Sequence, residues 1–242
     1  MSKEKEYFIG IDTETSNSLI TPENKLDLSQ SLVYDIGWQV IDRQGLPYKK
    51  RSYVVAEIFL DKELMNTAYF KEKIPQYWED IKSGKRILAT LLNIRKYFLI
   101  DRKKYEVKNV FAHNAYFDWK ALNNTLRYIT GSKYRYFFPR SVEMWDTLKM
   151  SRDIFGTEKM YTRFCDENGF KTNHKTPQNR YTAEILYRYI KKDLDFVESH
   201  TGLEDVEIET EILLYCLNSK KEMRRLLFER ERPRYFSPGR DC

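Results

Sequence analysis

The sequence lacks the marks of several protein classes. Of its 242 residues only Cys165, Cys216 and Cys242 are cysteine. Their odd number, wide separation and lack of a CxxC argue against a disulfide framework and a structural zinc site, and point to a reducing compartment. No apolar stretch approaches membrane-spanning length. The opening "MSKEKEYF" runs from charged residues into the first apolar segment without the hydrophobic region of a signal peptide. The expectation is a cytoplasmic chain without membrane contact. No internal repeat, low-complexity tract or Pro/Gly-rich linker divides it. Histidine is also scarce, at three residues.

What is present suits a globular fold with a substantial core, since 41% of residues are hydrophobic. Lys and Arg outnumber Asp and Glu by 42 to 36, a net charge of +6, which hints at a polyanionic partner. Residues 219–242 hold eight of the basic side chains against four acidic ones, so most of the excess lies in this tail. It reads either as a solvated helix with a frayed end or as a basic arm that lengthens a nucleic-acid footprint or docks a partner.

Strand and helix signals alternate along the chain. Tyr7 to Ile11 reads as a short buried strand, and "SLVYDIGWQVID" and "RSYVVAEIF" pair across the turn-forming "RQGLP" as an antiparallel meander. Residues 81–100 carry apolar side chains at helical spacing, and "NVFA" at 109–112 is a short strand beyond them. A helix crossing between strands implies a parallel partner, so the sheet is expected to be mixed. Residues 17–31 are long and polar for a connection, a candidate lid or hairpin.

Three stretches carry chemistry. In "YFIGIDTETS" the apolar strand breaks onto Asp12 and Glu14, whose i, i+2 spacing turns both carboxylates to one side. At about 4 Å they repel by roughly 4 kcal/mol at an effective dielectric near 20, so a cation is expected beside them. In "NVFAHNAYFDWKALNNTL" Asn114 is a candidate N-cap for a helix from about Ala115. Asp118 then shares a face with Ala121, Leu122, Thr125, Leu126 and Ile129, and a carboxylate there needs a partner. In "ESHTGLEDVEIETEILL" Thr201 and Glu204 form a capping-box pattern for a helix from about Gly202. Asp205 heads an apolar stripe through Ile208, Ile212 and Cys216, with His200 just outside the helix.

Each signal alone is weak; their order is the specific feature. "IGIDTET", "AHNAYFD" and "HTGLED" resemble the three motifs of the DEDDh (DnaQ-like) 3′ to 5′ exonucleases, with a flavour similar to bacteriophage members, and "WDTLKMSRDIF" resembles the family's segment between the second and third motifs. The resemblance spans roughly residues 7–217. It implies an RNase H-like α/β fold with a mixed five-stranded sheet flanked by helices. It further implies an exonuclease domain over 1–218 followed by a basic tail over 219–242, in the cytoplasm of a bacterium or a phage-infected cell. By position, Asp12, Glu14, Asp118 and Asp205 would bind two divalent ions, Mg²⁺ or Mn²⁺, with His200 as general base. Thr13, Thr15, Asn114 and Phe117 would meet the substrate, the 3′ end of single-stranded DNA or RNA. Alternatives on the same fold are a proofreading subunit held to a polymerase or replication protein by the basic tail, and a non-catalytic binding module. Two elaborations depart from compact members: the 17–31 loop, and an excess between Asp118 and His200 that falls within 168–195.

Other candidates have plainer readings. Asp146 in "MWDTL" suits an N-cap or support for the site better than a ligand. His113 suits structural hydrogen bonding, and His174 an ordinary loop. Phe117 either stacks on a terminal base or packs in the core. "KYRYFFPR" at 133–140 reads as a strand with one buried aromatic face rather than as a single-strand groove.

Overall fold

The computed structural model describes residues 5–17, 19–20 and 26–228. The strands are β1 (Tyr7–Ser16), β2 (Leu19–Ile20), β3 (Leu26–Asp27), β4 (Leu32–Asp42), β5 (Pro47–Val55), β6 (Ile87–Ala89), β7 (Asn109–Ala112) and β8 (Glu143–Asp146). The helices are α1 (Ala56–Phe59), α2 (Lys62–Asn66), α3 (Ile74–Ser83), α4 (Leu91–Lys104), α5 (Tyr116–Thr130), α6 (Thr147–Phe155), α7 (Lys159–Glu167), α8 (Ala183–Lys191) and α9 (Gly202–Asn218).

The main sheet has six strands in the order β6-β5-β4-β1-β7-β8, one more than the five expected. β1, β4 and β5 form the antiparallel meander, while β6, β7 and β8 each add in parallel. The extra strand is β6, which lies inside the stretch read as one helix over 81–100. Two local signals divide that stretch. Gly84 ends α3 at φ +77°, and Thr90 starts α4 by accepting a hydrogen bond from the Asn93 amide. Five residues remain between the caps, and the last three, Ile87, Leu88 and Ala89, pair with Tyr53, Val54 and Val55.

β1 is central, and both its faces are buried, which accounts for its nearly continuous apolar run. Ile9 and Ile11 belong to a core with Trp38, Phe98 and Leu122, whereas Phe8 joins a second core with Phe111, Phe155 and Ile212. α4 and α5 thus cover one face of the sheet, and α6 to α9 the other.

Three further expectations are corrected. "RSYVVAEIF" is strand only to Val55, after which Ala56–Phe59 coils into α1. Residues 133–140 form no strand: Phe137 and Phe138 are both buried in succession, which a strand with a single buried face cannot do. The Phe137 amide donates to Asn123 Oδ1 at 2.8 Å, and its carbonyl accepts from Arg95 Nε at 2.8 Å, so side chains replace a ladder. Beyond α9, residues 220–228 are not helical. The Leu227 amide donates to the Met144 carbonyl and the Asp146 amide to the Arg225 carbonyl, both at 2.8 Å, which fastens this segment beside β8. The rest of the basic tail, 229–242, and residues 18 and 21–25 of the candidate lid lie outside the described residues. No helix among the described residues is long and apolar enough to cross a membrane.

Candidate active site

Asp12 and Glu14 leave the same side of β1 and stand opposite Gly37 and Asp35 of β4. The start of α9 lies directly against this part of the sheet, an approach that glycine makes possible. A Cβ on Gly37 would lie 2.1 Å from the Leu203 backbone nitrogen, and one on Gly202 would lie 2.7 Å from the Gly37 nitrogen. The Gly202 amide donates to Asp35 Oδ2 at 2.9 Å. This docking brings Asp205 to the strand pair: one ligand oxygen from each of Asp12, Glu14 and Asp205 lies within 4.8 Å of the others.

A second group, Glu198, His200 and Asp205, meets the same limit, so Asp205 is common to both. The expected capping box is not formed. Glu204 instead accepts from Arg86 Nη2 at 2.9 Å and the Thr201 hydroxyl at 3.0 Å, while the Thr201 amide donates to Asp205 Oδ2 at 2.8 Å. Asp205 therefore caps its own helix, and Ser199 Oγ holds its second oxygen at 3.2 Å.

Asp118 comes from the first turn of α5 and is almost fully buried. Thr13 Oγ1, itself buried, donates to Asp118 Oδ1 at 2.8 Å, so this hydroxyl orients a carboxylate. Thr15 is buried as well. Asn114 is not the helix cap. It takes a left-handed conformation, φ +63°, one residue earlier, and its amide donates to Asp146 Oδ1 at 3.1 Å. The same oxygen accepts the Leu148 amide at 3.0 Å, so Asp146 caps α6 while fixing the turn that leads to Asp118. The Asn114 side chain is exposed and Phe117 is half-buried.

His200 also has a left-handed backbone, φ +47°, a conformation uncommon outside glycine. Its ring stacks on Phe70 at 4.4 Å between centroids, and Nδ1 lies 3.9 Å from Glu198 Oε2. Burial and then the Lys73 ammonium hold its pKa below the ordinary 6.5. His113 is occupied elsewhere: Nε2–H donates to the Tyr181 carbonyl at 2.7 Å, and Nδ1 lies 3.0 Å from Thr147 Oγ1. His174 is an exposed loop residue.

Sequence reasoning missed Glu209, Glu198, Lys73 and Phe70. Glu209 lies one turn after Asp205 and is buried in an otherwise apolar stripe, a signal that was legible. One of its oxygens accepts the His113 amide at 2.9 Å, and the other is buried without a hydrogen-bond partner. Lys73 donates to the Ser199 carbonyl and, at 3.5 Å, to that of His200. It sits in a polar segment with no periodicity to single it out.

The electrostatics have one direction. Burial, followed by Asp118, Glu209, Asp205 and Glu14, pushes the Asp12 carboxyl well above its ordinary value. Burial raises Asp118 to about 7 against the Thr13 hydrogen bond. Burial and then Glu198 raise Asp205 to about 8. Glu14 and Glu209 are raised in the same way. The Oδ2 atom of Asp12 is enclosed without a hydrogen-bond partner among the described residues. An all-oxygen donor set, crowded with negative charge and holding an unsatisfied carboxylate oxygen, fits a hard divalent cation such as Mg²⁺ or Mn²⁺.

No family model and no curated protein matches this chain. Several solved structures do. Exonuclease X in complex with 5′ overhanging duplex DNA matches with a TM-score of 0.50 at 16% identity, over 88% of this chain and 92% of its own. A 3′-exonuclease, solved in a study of 3′-end specific recognition of histone mRNA stem-loop, matches with a TM-score of 0.58 at 12% identity, over 92% and 67%. E. coli Exonuclease I in complex with a dA16 oligonucleotide matches with a TM-score of 0.50 at 12% identity, over 90% and 41%. The chain has the RNase H-like α/β fold of these exonucleases.

Proposed function

We propose that the chain is a metal-dependent 3′ to 5′ exonuclease of the DEDDh type that releases nucleoside 5′-monophosphates from single-stranded ends. The observation that carries this reading is the convergence of Asp12, Glu14 and Asp205 within 4.8 Å; Asp118 lies outside that group but adds its charge to Asp12 and Glu14, and His200 shares Asp205 with Glu198 in the second group. That the fold is shared with exonucleases solved with DNA and RNA substrates supports it. Asp12, Glu14, Asp118 and Asp205 would hold two divalent ions. Such ions supply charge neutralisation at the phosphodiester and an acidified water.

The chain's own residues supply the rest. Thr13 fixes the rotamer of Asp118, and Ser199 and the Thr201 amide fix that of Asp205. His200 is neutral near pH 7 because burial and Lys73 disfavour its protonated form, so it is ready to accept the proton of the attacking water. Glu198, raised to about 7 by burial and then by Glu184, stands next to the imidazole to share that proton. The stack on Phe70 holds the ring at the site entrance.

The test is a time course on 5′-labelled single-stranded DNA and RNA oligonucleotides in Mg²⁺ or Mn²⁺ against EDTA. The expected result is a ladder shortening one nucleotide at a time from the 3′ end only with metal, and the faster substrate identifies the polymer. His200→Ala should slow it by about 10²–10⁴-fold, the range for loss of a general base. Binding without cleavage in either metal would overturn the reading in favour of a non-catalytic module.

A further inference from the structure

Next to the carboxylates opens a cleft of about 690 Å³, a size typical of ligand sites. Asp12, Glu198 and Glu209 belong to its lining, and Arg152 and Arg180 contribute positive charge from α6 and from the segment before α8. We infer that this cleft holds the strand upstream of the scissile bond, with Arg152 and Arg180 gripping its phosphates. The inference rests on the nuclease reading and adds to it a binding subsite made in part from the 168–195 segment, with Arg152 supplied by α6.

Arg180 belongs to a small hairpin within that insertion. Lys171 and Asn179 pair in an isolated antiparallel bridge, and the Thr172 amide donates to the Gln178 carbonyl at 2.8 Å. The hairpin is fastened at three points. Asn179 Nδ2 donates to Thr162 Oγ1 of α7 at 3.1 Å, Tyr161 Oη to the Arg180 carbonyl at 2.5 Å, and His113 Nε2 to the Tyr181 carbonyl at 2.7 Å. The last contact is informative, because the His113 amide also binds Glu209. One residue thus ties the hairpin to the floor of the carboxylate site.

Against this fixed backbone the two arginine side chains stand out. Both are exposed, and neither donates a side-chain hydrogen bond nor forms an ion pair among the described residues. Most other arginines near acids are engaged; Arg51, Arg86, Arg188 and Arg224 all bind carboxylates. A guanidinium presents a planar fork of donors that suits phosphate oxygens. The acids of the cleft suit the cations that meet the terminal phosphodiester, and the two arginines in the same lining suit the phosphates that follow it. The grip is on the backbone and is therefore independent of base sequence.

The experiment measures binding of a 5′-fluorescein-labelled oligo-dT by anisotropy in EDTA, at several salt concentrations, for wild type, R180A, R152A/R180A and R152K/R180K. Loss of one charge-assisted contact should weaken binding by about tenfold, so R152A/R180A is expected to lose about 100-fold. Its slope of log affinity against log salt should fall by about 1.4, since each phosphate contact to a single strand contributes about 0.7. R180A should lose about tenfold in affinity and about 0.7 of slope, and the lysine pair should keep most of the slope. An unchanged affinity and slope in R152A/R180A, or a wild-type chain that binds no oligonucleotide, would overturn the inference. Wild-type hydrolysis with metal, run alongside, reports on the nuclease reading separately: cleavage with unchanged variant binding refutes only the cleft assignment.

Discussion

Arg86 is 1% exposed and reaches four groups at once. Nη1 binds Asp35 Oδ2 at 3.2 Å and Ser52 Oγ at 2.9 Å, Nε binds Asp80 at 2.9 Å, and Nη2 binds Glu204 at 2.9 Å. Asp35 is fully buried and also accepts from Tyr77 Oη at 2.7 Å and from the Gly202 amide at 2.9 Å. The network therefore joins β4, α3 and the start of α9. Arg86→Met keeps the length of the chain but leaves Asp35 with two neutral donors and no cation. Breaking a buried ion pair from one side costs about 3–5 kcal/mol, or roughly 6–20 °C in Tm for a chain of this size.

The loss should depend on pH in a defined sense. Burial already pushes the Asp35 carboxyl up, with Arg86 opposing. Without Arg86 the folded state binds a proton that the unfolded state releases near its ordinary value of 3.8, so stability falls as pH rises. Urea denaturation followed by circular dichroism at pH 5 and pH 8 should show the larger deficit at pH 8. Adding Asp35→Asn should recover part of it. A loss below about 1 kcal/mol, or one that does not grow between the two pH values, would refute the argument.

Three further outcomes are expected. Glu204 is held at about 2: burial pushes it up, but the Lys85 hydrogen bond and the Arg86 charge outweigh that. The linked stability is complete above the ordinary 4.5 and is lost as pH falls from there to about 2. Since Glu204 remains 31% exposed, screening reduces a full linkage of about 3 kcal/mol to about 1–2 kcal/mol. Glu204→Gln should therefore be less stable than wild type by that amount at pH 7 and equal to it near pH 2, as thermal melts across the range will show. Thr13→Val removes the donor to Asp118 and should weaken Mn²⁺ binding by about 10–100-fold in calorimetry; unchanged affinity would place Asp118 outside the cation site. Gly37→Ala sets a methyl 2.1 Å from backbone and should cost at least about 3 kcal/mol, read as a lowered urea midpoint; a normal midpoint would show that α9 shifts freely.

Much of the layout was legible because the signals are local. The buried run before Asp12 and the apolar stripe behind Asp118 each follow from periodicity, and the structure buries Ala121, Leu122, Thr125 and Leu126 as that stripe requires. The start of α9 at Gly202 was equally plain. What escaped were features set by tertiary partners. β6 is too short to outweigh the helical spacing on either side, and its caps at Gly84 and Thr90 are the only local evidence for it. Residues 133–140 carry strand-like aromatics, yet their backbone is satisfied by Asn123 and Arg95 rather than by a neighbour strand. Lys73 and Phe70 meet His200 only because distant segments fold together, so nothing in "YFKEKIP" announces them. Asn114 looked like a cap by residue type, but the cap chemistry at that corner belongs to Asp146, 32 positions away.

The glycine contact between β4 and α9 has a kinetic side. Asp12, Glu14 and Asp118 lie on β1 and α5, whereas His200 stands just before the last helix of the described residues and Asp205 on it, and its start at Gly202 must close a loop of 167 residues onto Asp35. The glycine contact seats Asp205 against the strand pair, so displacing the helix start separates the three carboxylates. A growing or partly unfolded chain thus carries Asp12 and Glu14 without His200 and Asp205 beside them. On the nuclease reading, the molecule stays inert towards the cell's own nucleic acids until the final packing step is complete.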